Sequence, residues 1–267
     1  MEVNNNKKIK LILGITLTGI IFIMLLLGIF HTPYDPMEMN AKLKLTGASM
    51  KHIMGCDQFG RDVFSRILVG VKETLIVAGA VVFIGSFFGT ILGTVTGYYG
   101  GLLDEILMRI TDAVLAFPSI LLCLLIISLL GGGRNTLILA LGIAFIPSFA
   151  RIIRGEVLKI RSLDYVYSVK LFGASDLRII FVHIIPNLKK VLMSTVLIGF
   201  NNAVLAEAGM SYLGMGVQPP MPSLGRMLSE AQTYIFTNPS NALFPGLVIV
   251  MMRLGFSLLA DAVSDLK

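Results

Sequence analysis

Apolar positions in this chain come in long unbroken runs. Runs of about 20 residues, the length that crosses ~30 Å of hydrocarbon as a helix, fall near 11–30, 76–98, 107–130, 135–156, 188–208 and 242–262. The pattern predicts six membrane-spanning helices and an all-α membrane protein. Polar stretches between the runs divide the chain into a tail at 1–10, a first span at 11–30, an outer segment at 31–73 and a five-helix core at 74–267 that includes a polar loop at 157–187. Lys7, Lys8 and Lys10 precede the first run as they would in a secretory leader. Its core is too long for one and no small-residue cleavage site follows, so it reads as a retained span.

Composition agrees with this class. Hydrophobic residues make up 55% of the chain and charged residues 14%, against roughly 25% charged in soluble domains, and the mean hydropathy is +0.83. The net charge of +6 does not point to nucleic acid, because the cations cluster beside spans, where they set orientation. Arg151, Arg154, Lys159, Arg161, Lys170, Arg178, Lys189 and Lys190 flank or occupy the loop after the fourth span. With six spans both termini share that side, and the positive-inside rule makes it the cytoplasm. The outer segment weakens the bias, since Lys42, Lys44, Lys51, Arg61, Arg66 and Lys72 also lie there. Cys56 lies in a polar loop and Cys123 inside a span, so the pair is expected as free thiols.

Several positions inside the spans call for a reason. Gly85, Gly89, Gly93 and Gly97 recur every four residues on one face of the second span, which lets another helix backbone approach closely. That helix belongs to this chain or to a second subunit, and the sequence leaves both open. Arg109 and Asp112 stand three apart on one helical face and are expected to neutralise each other, with a gating role as the sharper reading. Arg253 lies deep in the sixth span without a local partner, so a counter-charge from another helix or contact with substrate is expected. His52 and Cys56 form the one i, i+4 pair among His31, His52, His183 and the cysteines, and no metal site is expected from it.

The loop after the fourth span reads as two short helices with a bend. Asp164 is expected to cap the first, Gly173 to end it at positive φ, Ser175 to cap the second and Pro186 to stop it. Tyr165, Val166, Val169, Leu171 and Phe172 offer an unusually apolar surface for a segment outside the lipid. Ahead of the second span, Asp62 is expected to cap an amphipathic helix carrying Val63, Phe64, Ile67, Leu68 and Val71, resting at the outer interface. The glycines and prolines of Ala206 to Pro220 break a stretch apolar enough to dip into the membrane and line its outer mouth.

Gly173 lies thirteen residues before Pro186, and Gly173-Ala174-Ser175-Asp176 with Arg178 follows the same pattern. This loop resembles the EAA loop of ABC-importer permeases. Three further stretches resemble the dipeptide, oligopeptide and nickel branch of that family. They are Asp57 to Arg66, Gly97-Tyr98-Tyr99-Gly100-Gly101 through to Pro118, and Glu207 to Leu228. The resemblance implies a six-helix, type I (MetI-like) importer permease that docks an ATPase through Tyr165, Tyr167, Ser168, Val169, Gly173, Ala174, Ser175, Asp176, Arg178 and Pro186. Tyr167, Ser168 and Val169 replace the glutamate and two alanines that name the motif, which implies a more apolar contact. It further implies a heterodimer with a second permease, two ABC ATPases, an extracytoplasmic binding protein, surrounding lipid, and a place in the cytoplasmic (inner) membrane.

No phosphate-cradling motif is present. ATP and magnesium are therefore expected on the partner ATPases, and this chain is expected to be neither enzyme nor cofactor carrier. Di- or oligopeptides are the expected cargo, with nickel or a metal chelate as the alternative. An intramembrane protease using Asp112 and Asp261, or an ion-coupled carrier, is the remote alternative.

Overall fold

The structure, a computed structural model, describes residues 2–264, with side chains from 9 to 262. Met1, the side chains of Lys7 and Lys8, and residues 265–267 of the expected core lie outside the described residues.

Helix α1 runs Glu2–Phe30 and passes without a break through the boundary expected at residue 10. The segment that follows is irregular, with one 3₁₀ turn at Ala41–Leu43. Helix α2, Val63–Tyr99, is 37 residues long, or about 55 Å at 1.5 Å per residue. It therefore outreaches the hydrocarbon by several turns. Asp62 caps α2 by accepting from the backbone N–H of Ser65 at 2.8 Å. The capped end is not a separate helix lying at the interface, as its amphipathic pattern predicted. Val63, Ile67, Leu68 and Val71 are buried in protein, and Arg66 is 1% exposed. The apolar face meets α9 and α1 rather than lipid headgroups.

The third predicted span is broken. Helices α3, Gly101–Ala116, and α4, Ser119–Leu130, meet at 89°. Phe117 is extended at φ −80° and ψ 133° because Pro118 disfavours helical backbone in the residue before it. Helix α5, Arg134–Arg161, is followed by the short α6, Asp164–Leu171, and α7, Asp176–Arg178. A π turn, Ile179–Ile184, continues into α8, Ile185–Tyr212. The eight-residue α9, Leu224–Ala231, and α10, Ser240–Ser264, are the last of the described helices. Among the described residues five helical paths are long and apolar enough to cross a membrane, and six if the bent pair counts as one.

Packing resolves the glycine stripe in favour of this chain. A Cβ on Gly93 would lie 2.5 Å from the carbonyl oxygen of Ala150, and one on Gly97 would lie 2.9 Å from Cβ of Val157. Gly85 and Gly89 face Phe145 and Phe149 of the same helix. The stripe is thus the seam between α2 and α5. Helix α10 packs on α1 and α8. Among the described residues the buried apolar side chains form two clusters. The larger lies within the bundle, and the smaller joins the ends of α2 and α5 to α6, the π turn and α8.

At the opposite end, an ionic network holds the irregular segment onto the bundle. Arg61 reaches Asp57 at 2.7 Å and Glu230 at 3.0 Å. Arg66 reaches the same two carboxylates at 3.4 and 3.3 Å, and Arg226 reaches Glu230 at 3.0 Å. Asp62 is also 2.9 Å from Nδ1 of His52. Cys56 and Cys123 are buried free thiols. Burial pushes the Cys56 thiol up from its ordinary value; Thr46 opposes this by hydrogen bonding, and the carboxylates of Asp62 and Asp57 add to it.

Candidate docking and coupling site

The hairpin made by α6, α7 and the π turn starts where α5 stops. Leu163, not Asp164, occupies the N-cap position of α6, and it offers no side-chain cap. Asp164 is instead the first helical residue, where its charge complements the N-terminal end of the helix dipole. Ser168 bonds back to the carbonyl of Asp164 at 2.9 Å. The helix closes at Gly173, whose φ of +82° is the left-handed conformation that favours glycine. The N–H groups of Gly173 and Ala174 return to Lys170 and Val169 at 3.0 and 3.3 Å.

Ser175 stands at the N-cap of α7 in extended backbone, yet its hydroxyl does not cap the helix. Pro186 does not stop the second helix either. Asp176–Tyr212 is one continuous 37-residue path. Pro186 falls in the first turn of α8, where a missing N–H is tolerated, and the π turn just before it absorbs the change in register.

The hairpin has two faces. Val166 is buried and Val169 packs against the smaller apolar cluster with Tyr98, Ile153, Val157, Ile160, Ile179 and Ile184, so neither belongs to the outward surface expected of them. Tyr165, Tyr167, Leu171, Phe172, Leu177 and Phe181 are exposed, Phe172 at 90%. Around them Ser168, Lys170, Ser175, Arg178 and Pro186 are exposed, while Ala174 and Asp176 are half-buried. Tyr165 accepts from Nδ2 of Asn187 at 2.9 Å, which ties α6 to α8.

The charges singled out in the spans find other partners. Arg109 bonds Glu105, one turn earlier on α3, at 2.5 Å. Asp112 bonds Arg151 of α5, so the expected Arg109–Asp112 pair does not form. Asp104 takes both Nε and Nη2 of Arg154 at 2.6 Å. Arg253 is exposed on α10, and among the described residues no counter-charge from another helix meets it. A cavity of about 770 Å³ lies between the α3–α4 break, α5 and α8, with Phe117, Phe145, Phe149, Thr195, Asn202 and Met210 in its wall. Arg109, Asp112 and Arg253 do not line it.

Two polar junctions were not singled out from the sequence. Glu207 is fully buried on α8, accepting from Thr74 of α2 and Ser211 at 2.7 Å each. Beside it Glu73 takes Arg134 at 3.1 Å. An acidic residue inside an apolar run was the available signal. The other junction is the hydroxyl of Tyr98, which donates to Asp176 at 2.6 Å. No sequence spacing relates those two residues. Among the described residues no group of three His, Cys, Asp or Glu could hold a metal ion.

Comparison with known proteins shows the family. Residues 89–266 match the family model described as binding-protein-dependent transport system inner membrane component. The chain is 37% identical over 256 residues to the dipeptide transport system permease protein DppC of Alkalihalophilus pseudofirmus, covering 94% of this chain and 84% of that one. It is 38% identical over 251 residues to the glutathione transport system permease protein GsiD of Pectobacterium atrosepticum, covering 92% and 83%. Among solved structures, the fold is similar to the MetNI methionine ABC transporter in inward-facing conformations, with a TM-score of 0.59 at 19% identity over 74% of this chain and 96% of that one. An amino acid ABC transporter with histidines matches with a TM-score of 0.58 at 18% identity, covering 74% and 92%. With two thirds of its length matching the family model and more than nine-tenths aligned to such relatives, the chain belongs to the binding-protein-dependent transport system inner membrane components.

Proposed function

We propose that this chain is one permease half of an ATP-driven importer that moves di- or oligopeptides across the cytoplasmic membrane. The observation that carries the reading is the exposed apolar face of the α6–α7 hairpin, where Tyr167, Leu171, Phe172 and Leu177 are left largely uncovered by the described residues. Such a face fits burial against a partner. The partner is an ABC ATPase, docked through Tyr165, Tyr167, Ser168, Gly173, Ala174, Ser175, Asp176, Arg178 and Pro186. Val169 acts from beneath, as part of the hairpin's packing.

The ATPase pair holds ATP and magnesium, a second permease completes the conduit, and an extracytoplasmic binding protein delivers the cargo. Relatives named for dipeptide and glutathione transport support a peptide substrate. Charge supports a cytoplasmic hairpin and cytoplasmic termini. Lys159, Arg161, Lys170, Arg178, Lys189 and Lys190 are exposed around the hairpin, whereas Arg61 and Arg66 at the other end are buried among carboxylates. The cavity between the α3–α4 break, α5 and α8 is the candidate wall of the conduit. Alternating access then follows from partner binding that stabilises one arrangement of the bundle over the other.

The test is Gly173→Asp. A side chain at φ +82° occupies the left-handed region that favours glycine, and the carboxylate places charge within the apolar face. Uptake of labelled dipeptide should fall about tenfold or more, with unchanged chain in the membrane and loss of the ATPase on purification. Normal uptake by this variant removes the hairpin from the mechanism. A parallel arm with nickel separates the substrates, since nickel uptake without peptide uptake reassigns the cargo.

A further inference from the structure

Tyr98 belongs to the Gly97-Tyr98-Tyr99-Gly100-Gly101 run, and neither docking nor conduction as argued above uses it. Its ring is 5% exposed within the smaller apolar cluster. The guanidinium of Arg161 lies 6.0 Å over the ring, and Tyr99 stands edge-on at 5.1 Å. Phenylalanine would fill the same space, so what tyrosine adds is the hydroxyl, and that hydroxyl reaches Asp176 at 2.6 Å. Asp176 opens the helical segment just after the Gly173 bend. Tyr98 lies at the end of α2, which the glycine seam locks against α5.

Besides this bond and the Tyr165–Asn187 bond to α8, the hairpin is attached by chain continuity at two points. One is the turn at Ser162–Leu163 after α5, and the other is the π turn leading into α8. A π turn is a wide, uncommon helical form that occurs frequently at functional sites. Apolar contact beneath the hairpin resists separation but fixes no direction, whereas a hydrogen bond to a carboxylate is short, strong and oriented.

We propose that the Tyr98–Asp176 bond is the positioning contact that makes the hairpin and the α2–α5 pair move as one body. A displacement delivered to the hairpin then reaches α2 and α5 together with α8. Through α5 it also reaches α3, because Arg154 grips Asp104 with two bonds. The proposal deepens the importer reading and rests on it.

The complete transporter, with both permeases, both ATPases and the binding protein in proteoliposomes, gives the measurement: labelled dipeptide moved per ATP hydrolysed. Tyr98→Phe should lower that ratio about tenfold, the scale expected for losing a hydrogen bond to a charged group, while ATP hydrolysis and ATPase co-purification persist. Asp176→Ala should lower the ratio at least as far, since Asp176 also belongs to the docking set, and the double variant should fall no further than Asp176→Ala, because Tyr98 then has no bond left to lose. Asp176→Asn keeps an acceptor oxygen and should fall between wild type and Asp176→Ala. An unchanged ratio in Tyr98→Phe overturns the proposal. So does a proportional fall in transport and hydrolysis, or loss of the ATPase, since either makes Tyr98 a packing residue. Absence of ATP-driven dipeptide uptake by the wild type sinks the importer reading and this proposal with it. Wild-type uptake with an unaltered ratio in the variant sinks this proposal alone.

Discussion

Arg66 shows how one side chain can be costly to remove yet invisible as a functional residue. It is 1% exposed and shares Asp57 and Glu230 with Arg61, while its Nη1 donates to the carbonyl of Pro36 at 3.3 Å. Truncating one member of a buried ionic network leaves the others desolvated and short of partners, which costs about 3–5 kcal/mol. Arg66→Ala should therefore lower the thermal midpoint of the purified chain and open the 31–62 segment to protease, with α5 and α8 unaffected. Limited proteolysis followed by mass analysis checks this, and an unaltered cleavage pattern would refute it. Cys56 offers a second reading of the same region. Its thiol is buried and pushed up in pKa, so the folded state binds the proton more tightly than the unfolded one. That contribution to stability is present at neutral pH and is lost as pH rises through the raised value. Maleimide labelling of Cys56 should be slow at pH 7 and accelerate in Arg66→Ala.

At the scale of elements, the α2–α5 seam sets what the bundle tolerates. A Cβ on Gly93 meets the backbone of Ala150, and backbone cannot give way as a flexible side chain can. Overpacking of this kind costs about 1–3 kcal/mol. Gly79, about four turns nearer the start of α2, has its nearest neighbour at 3.9 Å, in Phe200. Gly79→Ala should then be neutral, or stabilising by about 0.5–1 kcal/mol through helix propensity, whereas Gly93→Ala should destabilise. Melting of the two variants in one detergent decides the matter, and equal midpoints would show that the seam yields. The broken third span is set locally in the same way, by Phe117-Pro118, as is the Gly173 bend.

On the scale of the whole molecule, the bundle holds a polar anchor at each end. One is the Arg61, Arg66, Asp57 and Glu230 network joining the irregular segment, α2 and α9. The other is the set of bonds at the opposite ends of α2 and α5, where Asp104 meets Arg154, Asp112 meets Arg151 and Tyr98 meets Asp176. Between them lie the cavity and the buried Glu207 junction. Rigid ends with a hollow between suit a body that tilts as a unit, which is the motion the importer reading requires. Disulfide cross-links placed across the α2–α5 seam should leave dipeptide uptake intact on that account. Abolished uptake would show that the two helices must part.

Amino-acid order alone determined the class, the number and placement of the apolar runs, the Asp62 cap and the glycine bend at residue 173. Hydrophobic length, capping geometry and allowed φ are properties of a short stretch of chain, so they are legible without knowing what lies beside it. Tertiary structure decided that Asp112 turned to Arg151 of α5, which left Arg109 to Glu105, the i, i+4 neighbour on its own helix. It also decided that residues 63–71 are covered by protein, that the glycine stripe faces α5, and that Tyr98 holds Asp176. The physical reason is that a charge, a hydroxyl or a bare glycine face takes whichever partner the fold brings within reach, and the distance between Tyr98 and Asp176 along the chain carries no trace of the 2.6 Å between them in space.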